Sequence, residues 1–417
     1  MKKIMLRCVS QVFENEKINN ISEKIIQELK KINFKEKINP GMQVGITVGS
    51  RGIDNLALII KTIITEVKKY GGSPYIIAAM GSHGGATVEG QLSILASYSI
   101  TKEKMGVPVK ATTEVIKLGE IKNGLPVYFN KIADSCDGLI IVNRIKVHTS
   151  FKSDIESGLH KMLAVGLGNH QGATLVHSLG VKGLSDYMVQ FAEVILKKAP
   201  IICGIGILEN SYDKTYKIIT TNPENFKEID RKLLKESKKI LPRLPVSNID
   251  LLVIKEIGKN ISGTGMDTNV VGGITEFLKG SFHPPKIKEI VLLDLTPESH
   301  GNAHGVGLAK AITKKLYDKI DFKATYTNSI ASGFLYKSSI PMIFPTEEEA
   351  FKTCLGVLGN LPVIKPRIVI IKNTMKLDKL YVSEPVWEEI KERKNILPLS
   401  NWEELKFDNE GNLFLKI

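Results

Sequence analysis

Apolar and polar positions along the first half of the chain fall into short blocks that switch period. Val44 to Val48 (VGITV) is an uninterrupted apolar run with β-branched residues, which predicts a strand buried on both faces. The turn Gly49-Ser50-Arg51-Gly52 ends it, and apolar residues then recur at helical spacing from about Asn55 to Lys69. Gly71 and Gly72 stop that helix, and Pro74 to Met80 predicts a second strand. Gly81-Ser82-His83-Gly84-Gly85 ends this strand, and Val88 to Tyr98 is helical again. Gly138 to Asn143 (GLIIVN) predicts a third strand. Strand and helix in alternation imply a mainly parallel sheet with helices on its faces.

Two prolines follow a very basic helix in Lys238 to Val246 (KKILPRLPV), and a new strand pattern starts at Asp250 (DLLVIKEI). A boundary belongs there, with an N-terminal domain over 1–245 and a second over 246–417. The second half predicts a strand over Ile290 to Leu295, a helix near Gly307 to Asp318 and a strand over Val363 to Ile371. A turn at Asn409-Glu410-Gly411 and a short strand, Leu413 to Ile417, close the chain as a hairpin would. The expected fold class is α/β: two α/β domains, each with a mainly parallel sheet, and an active-site cleft between them.

Composition narrows the partners. The formal charge is +13, from 57 Lys and Arg against 44 Asp and Glu. The excess is lysine spread over helix faces, as at Lys24, Lys30, Lys31, Lys35 and Lys37. Without an arginine-rich run or interleaved aromatics, nucleic acid is not an expected partner. Cys8, Cys136, Cys203 and Cys354 are far apart and form no CxxC pair, so neither a zinc or iron–sulfur site nor a disulfide framework is expected. MKKIMLRCVSQVFENEK has no apolar stretch fit for a signal peptide, and no segment approaches the roughly 18 apolar residues of a membrane span. The expected setting is a reducing cytoplasm, with no membrane partner.

Ligands of open parallel sheets bind where the strands end. Ser50-Arg51, Gly81 to Gly85 and Arg144 to His148 follow the three predicted strands. Glycines let backbone N–H groups approach a phosphate, and the helix that follows favours negative charge. His83 in such a loop suits acid–base work, although a surface-turn histidine fits the same pattern. Arg51 reads either as a fork for a carboxylate or phosphate, or as a solvated charge. Between Lys146 and His177 lie half of the eight histidines: His148, His160, His170 and His177. Gly158, Gly166, Gly168 and Gly172 each weaken a helix interior, so this stretch is expected to be a loop wrapped around a ligand. The histidine spacings match no helical zinc pair such as HExxH. Asp294, His300 and His304 make a further strand-end loop, readable as substrate selection or as a plain polar loop.

Taken in order, these features resemble the lactate racemase family, whose cofactor is a nickel-pincer nucleotide. That cofactor is a pyridinium-3,5-bisthiocarboxylic acid mononucleotide whose sulfur arms hold nickel against a ring carbon. The family joins a lysine to one arm, and a later histidine completes the nickel's square plane. SGLHKMLAVGLG looks like the lysine segment, which makes Lys161 the anchor, and His177, 16 residues on, the nickel ligand. The resemblance further implies His83 and His148 as catalytic histidines and Ser50, Ser82, Gly84, Gly85 and Gly158 as cofactor-binding. It implies Arg51, Asp267, Asn269 and His300 as substrate-binding, with Asp154 or Glu156 orienting an imidazole. The chain departs from the family where Leu159 and His160 interrupt its glycine run, and where Gly272-Gly273-Ile274-Thr275 replaces a substrate-contacting glutamine and lysine. The function implied is a racemase or epimerase that inverts a small-molecule 2-hydroxy acid other than lactate, by hydride transfer to and from the cofactor. Cofactor-biosynthesis proteins are the implied partners. Two alternatives stand beside this reading: a sugar-acid epimerase using the same cofactor, and a non-catalytic binder of nucleotides or anions.

Overall fold

The computed structural model describes residues 3–272, 285–358 and 365–415. The chain forms two compact units, Glu14–Leu241 and a second made of Pro242–Ile417 together with Met1–Phe13. It opens with β1 (Met5–Gln11), which belongs to the second unit.

The unit Glu14–Leu241 holds β2 (Gln43–Val48), β3 (Ser73–Ala78), β4 (Val109–Lys110), β5 (Val115–Glu120), β6 (Pro126–Asn130), β7 (Gly138–Arg144), β8 (Ile201–Glu209) and β9 (Thr215–Thr221). Six of these pair in the order β4-β3-β2-β7-β8-β9, parallel except for β8 with β9, while β5 and β6 form a separate antiparallel ribbon. Side chains alternate across the sheet with a period of two. Val44, Ile46, Ile76, Ile140 and Val142 pack on one face under the helices Ile21–Lys31 and Leu56–Lys69. Ile77, Leu139 and Ile141 pack on the other with Met188, Phe191 and Ile195 of the helix Met188–Lys198. Because both faces are covered, the strands read as continuous apolar runs, and each fully buried aliphatic side chain contributes about 1.5–3 kcal/mol. The three strands and the helices Leu56–Lys69 and Val88–Ser97 fall where the apolar pattern predicts them.

The second unit is built on a sheet of order β13-β12-β11-β10-β14-β15-β1-β16, with β17 also paired to β1. Its strands after β1 are β10 (Asn248–Ile254), β11 (Lys286–Leu292), β12 (Ala311–Thr313), β13 (Met342–Phe344), β14 (Ile368–Asn373), β15 (Lys376–Ser383), β16 (Ile396–Pro398) and β17 (Glu403–Glu404). The part from β13 to β14 is parallel, and the part from β14 to β16 is antiparallel. Two expectations change here. The helix expected near Gly307 to Asp318 is a 3₁₀ turn (Val306–Leu308), strand β12 and a short helix (Lys314–Tyr317). Ala311 and Ile312 are fully buried in the sheet core, and that tertiary pairing overrides local propensity. The expected strand over Val363 to Ile371 is β14, and residues 363 and 364 lie outside the described residues. At the C-terminal end a single antiparallel bridge, Phe407 with Leu413, flanks the expected turn. No helix among the described residues is long and apolar enough to cross a membrane.

β1 sits between β15 and β16, which is why the first thirteen residues separate from the unit that follows them. Arg7 fastens it. Its guanidinium carbon lies 4.8 Å from the ring centre of Trp387 and 4.6 Å from that of Trp402, the chain's two tryptophans. Replacing Arg7 with Ala should lower the stability of this unit by about 2 kcal/mol and shift the tryptophan emission. Denaturant unfolding followed by fluorescence checks this; an unchanged midpoint and spectrum would contradict the sandwich.

Candidate active site

The ends of β2, β3 and β7 carry the residues singled out in the unit Glu14–Leu241. After β2, the Ser50 hydroxyl hydrogen-bonds Nδ1 of His83 from the loop after β3, and the Tyr98 hydroxyl donates to the Ser50 carbonyl at 2.9 Å. Ser82 and His83 are exposed. Gly84 has φ +67°, and a Cβ there would fall 2.7 Å from the Gln91 nitrogen, so the loop needs glycine at that position. The Gly81 N–H donates to the Gly166 carbonyl at 3.0 Å, which ties the His83 loop to the segment after Lys161.

Beyond β7, the Arg144 guanidinium pairs with the nearly buried Glu209 carboxylate. Arg51 is exposed and makes no ion pair among the described residues. Partial enclosure of its head group and then the neighbouring Arg144 charge lower its pKa, but an exposed guanidinium remains charged. His148 is held through its backbone and its ring. Its N–H donates to Glu156 Oε2 at 2.8 Å, and its Nδ1 accepts from the Ser150 N–H at 3.0 Å. A neutral His148 ring therefore carries its proton on Nε2. Its ring packs on Phe151, with centres 4.4 Å apart. Glu156 is fully buried and also takes Lys238 at 2.8 Å, the Ser153 N–H at 3.3 Å and Lys152 at 3.6 Å. Asp154, the other expected orienting carboxylate, instead pairs with Arg231 at the surface. No sequence signal separates these two acids; burial does.

The stretch expected to be a ligand-wrapping loop is helical. A short helix (Leu159–Lys161) runs into a π turn (Met162–Gly166), then the helix Asn169–Ser178, a second π turn (Gly183–Tyr187) and the helix Met188–Lys198. The glycines are present for close packing. A Cβ on Gly168 would lie 2.6 Å from the Ala164 carbonyl oxygen, and one on Gly166 would lie 2.6 Å from the Met162 sulfur. Tertiary contact outweighs the roughly 1 kcal/mol that each glycine costs a helix. Gly158, at φ +97°, starts the run, and Asp230 fills the space beside it.

The run brings Lys161 and His177 close enough for their charges to act on one another. Burial, then Lys161, pushes the His177 imidazole down to about 4, so it is neutral at pH 7 with a lone pair to donate. Enclosure of the Lys161 amine and then the Arg51 charge lower it to about 8, against an opposing pull from Glu156. Lys161, His177 and Arg51 thus form one electropositive site. His160 is a buried structural residue whose Nδ1 meets Asp230 at 2.8 Å, and His170 is exposed.

The candidates in the second unit are arranged differently. Asp267 and Asn269 are buried and bonded to each other: Asp267 Oδ1 accepts the Asn269 N–H and its side-chain amide, both at 2.8 Å. Asp267 thereby caps the turn Thr268–Val271, of which Asn269 is part. His300 is exposed with φ +46°, while His304 is buried against Ser329 at 2.9 Å. Burial, with Lys259 and Lys337 nearby, lowers His304 to about 3. Asp294 pairs with Lys315 at 2.9 Å and Lys319 at 2.5 Å. Gly273, Ile274 and Thr275, where the chain departs from the family's substrate contacts, lie outside the described residues.

No three His, Cys, Asp or Glu side chains among the described residues stand close enough to hold a metal by themselves. A metal at His177 would take its remaining donors from a bound group. A neutral imidazole beside a lysine of lowered pKa fits a metal-bearing cofactor anchored at Lys161.

Strand-end loops of a parallel sheet, with Arg51, Lys161 and His177 within electrostatic reach of one another, define an α/β protein whose candidate site lies in the unit Glu14–Leu241. Residues 4–182 match the lactate racemase N-terminal domain. Its fold is similar to that of the lactate racemase apoprotein from Thermoanaerobacterium thermosaccharolyticum, with a TM-score of 0.53 and 14% identity over 90% of this chain and 94% of that one. It is also similar to a Thermotoga maritima protein, with a TM-score of 0.52 and 13% identity over 80% and 86% of the two chains. No protein of curated function matches.

Glu156 carries the His148 loop, so Glu156→Ala should cost about 3–5 kcal/mol by removing the buried carboxylate that Lys152 and Lys238 meet and freeing the His148 amide. Thermal unfolding with hydrogen exchange on residues 146–157 measures this; wild-type stability and protection would show that the carboxylate holds nothing.

Proposed function

We propose that the protein is a racemase or epimerase of 2-hydroxy acids that uses a nickel-pincer nucleotide anchored at Lys161. The observation that carries this is the pairing of a lysine lowered to about 8 with a neutral histidine lowered to about 4, in the helical run that follows the family's matched strands. When bound, the cofactor supplies a centre that takes hydride from the substrate carbon and returns it.

The protein's own residues handle charge and protons. Arg51 holds the substrate carboxylate, because Arg144 is already committed to Glu209. His83 accepts the hydroxyl proton at Nε2, with its Nδ1 steadied by Ser50. His148, from the other loop, returns the proton from Nε2 as an imidazolium, and as the base of the reverse direction it takes one there. In both roles its Nδ1 carries a proton, so the Ser150 bond of the resting ring must be released. Ser82, Gly84 and Gly85 offer hydroxyl and amide donors for the nucleotide phosphate. The four cysteines are free and buried, which suits a reducing cytoplasm, where this reading places the protein. The replacement of the family's glutamine and lysine after Asn269 supports a substrate other than lactate, with sugar acids included in the screen.

Co-expression with the cofactor-making enzymes should give a protein whose intact mass rises by one cofactor and which holds about one nickel per chain. Lys161→Ala should lose the mass increase, and His177→Ala should lose nickel at least tenfold. Unmodified, nickel-free wild type, beside a relative that loads under the same conditions, would refute the assignment.

A further inference from the structure

Asp230 lies 69 residues after Lys161 in the chain, on the helix Phe226–Ile240, yet its fully buried carboxylate closes on the turn that carries that lysine. Oδ1 accepts the Leu159 N–H at 2.9 Å. Oδ2 accepts the His160 N–H at 2.9 Å and meets His160 Nδ1 at 2.8 Å. The two amides are orphan donors at the start of a helix, so the carboxylate acts as a cap supplied from a distant element. A Cβ on Gly158 would fall 2.3 Å from Oδ1, so the residue before the turn must be glycine for the carboxylate to seat. The imidazole of His160 is also buried, and as a carboxylate partner its Nδ1 carries the proton. With both ring and backbone of His160 fixed, the direction of the next residue, Lys161, is fixed as well.

We infer that Asp230, acting through His160, is a positioning residue that aims the Lys161 amine at its covalent partner. This rests on the reading of Lys161 as the cofactor anchor. It also explains why His160 stands where the family's glycine run is interrupted: in this chain the turn is held by a buried side-chain pair. Arg231, the next residue of the same helix, pairs instead with the exposed Asp154 and serves as a neighbour without this task.

The test has two readouts. In the first, wild type, Asp230→Ala, His160→Ala, His160→Gln and Arg231→Ala are co-expressed with the cofactor-making enzymes, and the covalent adduct is quantified by intact mass. The adduct should fall at least tenfold in Asp230→Ala and His160→Ala, stay at the wild-type level in Arg231→Ala, and return in His160→Gln, whose amide can still donate to Asp230. In the second, the unloaded proteins are reductively ¹³C-methylated with formaldehyde, and the Lys161 resonance is assigned through Lys161→Arg. That resonance should stand apart from the surface lysines in wild type, Arg231→Ala and His160→Gln, and merge with them in both alanine variants. Circular dichroism confirms folding; if Asp230→Ala does not fold, His160→Ala decides alone. A folded alanine variant with a wild-type adduct, whether or not its resonance moves, overturns the inference. If wild type itself takes no adduct, the cofactor reading fails separately, and the resonance decides whether Asp230 positions Lys161.

Discussion

Two carboxylates taken wholly out of water set the terms for this site. A buried, charged acid is tolerable only if nearly all its lone pairs are met by donors, so Glu156 and Asp230 each gather the amides and cations around them. What they gather is the chain between β7 and the Lys161 turn. Glu156 holds the His148 amide and is itself held by Lys238, while Asp230 holds Leu159 and His160. Lys238 and Asp230 lie on one helix, Phe226–Ile240, so a single element braces both the histidine loop and the lysine turn. Reactive side chains on loops are rarely placed well without such support, and here it comes from ionic contacts in the interior.

The electrostatics follow from the same packing. Enclosing a lysine beside an arginine disfavours its charged form, and a histidine enclosed beside that lysine stays neutral. An amine that loses its proton more readily than usual and a neutral imidazole therefore arise from position. The same positive surroundings attract anionic groups.

Much of this was legible in the chain, and the reasons differ by element. β2, β3 and β7 could be read because parallel strands covered on both faces must be apolar throughout. The strand-end loops could be read because glycine marks the sharp backbone turns, as at Gly84. The helical run after Gly158 could not, since local propensity penalises glycine and only tertiary contact reveals that Gly166 and Gly168 let backbones meet. Nor could β1 be assigned, because its pairing partners lie 369 or more residues away in β15 and beyond. Asp230 carries no motif at all: its meaning is a hydrogen bond to residues 70 positions earlier, and one sequence offers no trace of that. Among the histidines, sequence grouped four as a cluster, and burial separates a ring held by Asp230 and the exposed His170 from the two half-buried candidates, His148 and His177.

The central claim is that the substrate hydrogen leaves carbon as hydride while histidines move only the hydroxyl proton. Following a 2-hydroxy acid turned over by the cofactor-loaded protein in D2O, by proton NMR at C2, tests it most directly. The account predicts inversion with the original hydrogen retained at C2, since a hydrogen moved as hydride does not pass through a group that exchanges with solvent. Deuterium at C2 of the inverted product would mean that a base had removed a proton from carbon, and would contradict the account.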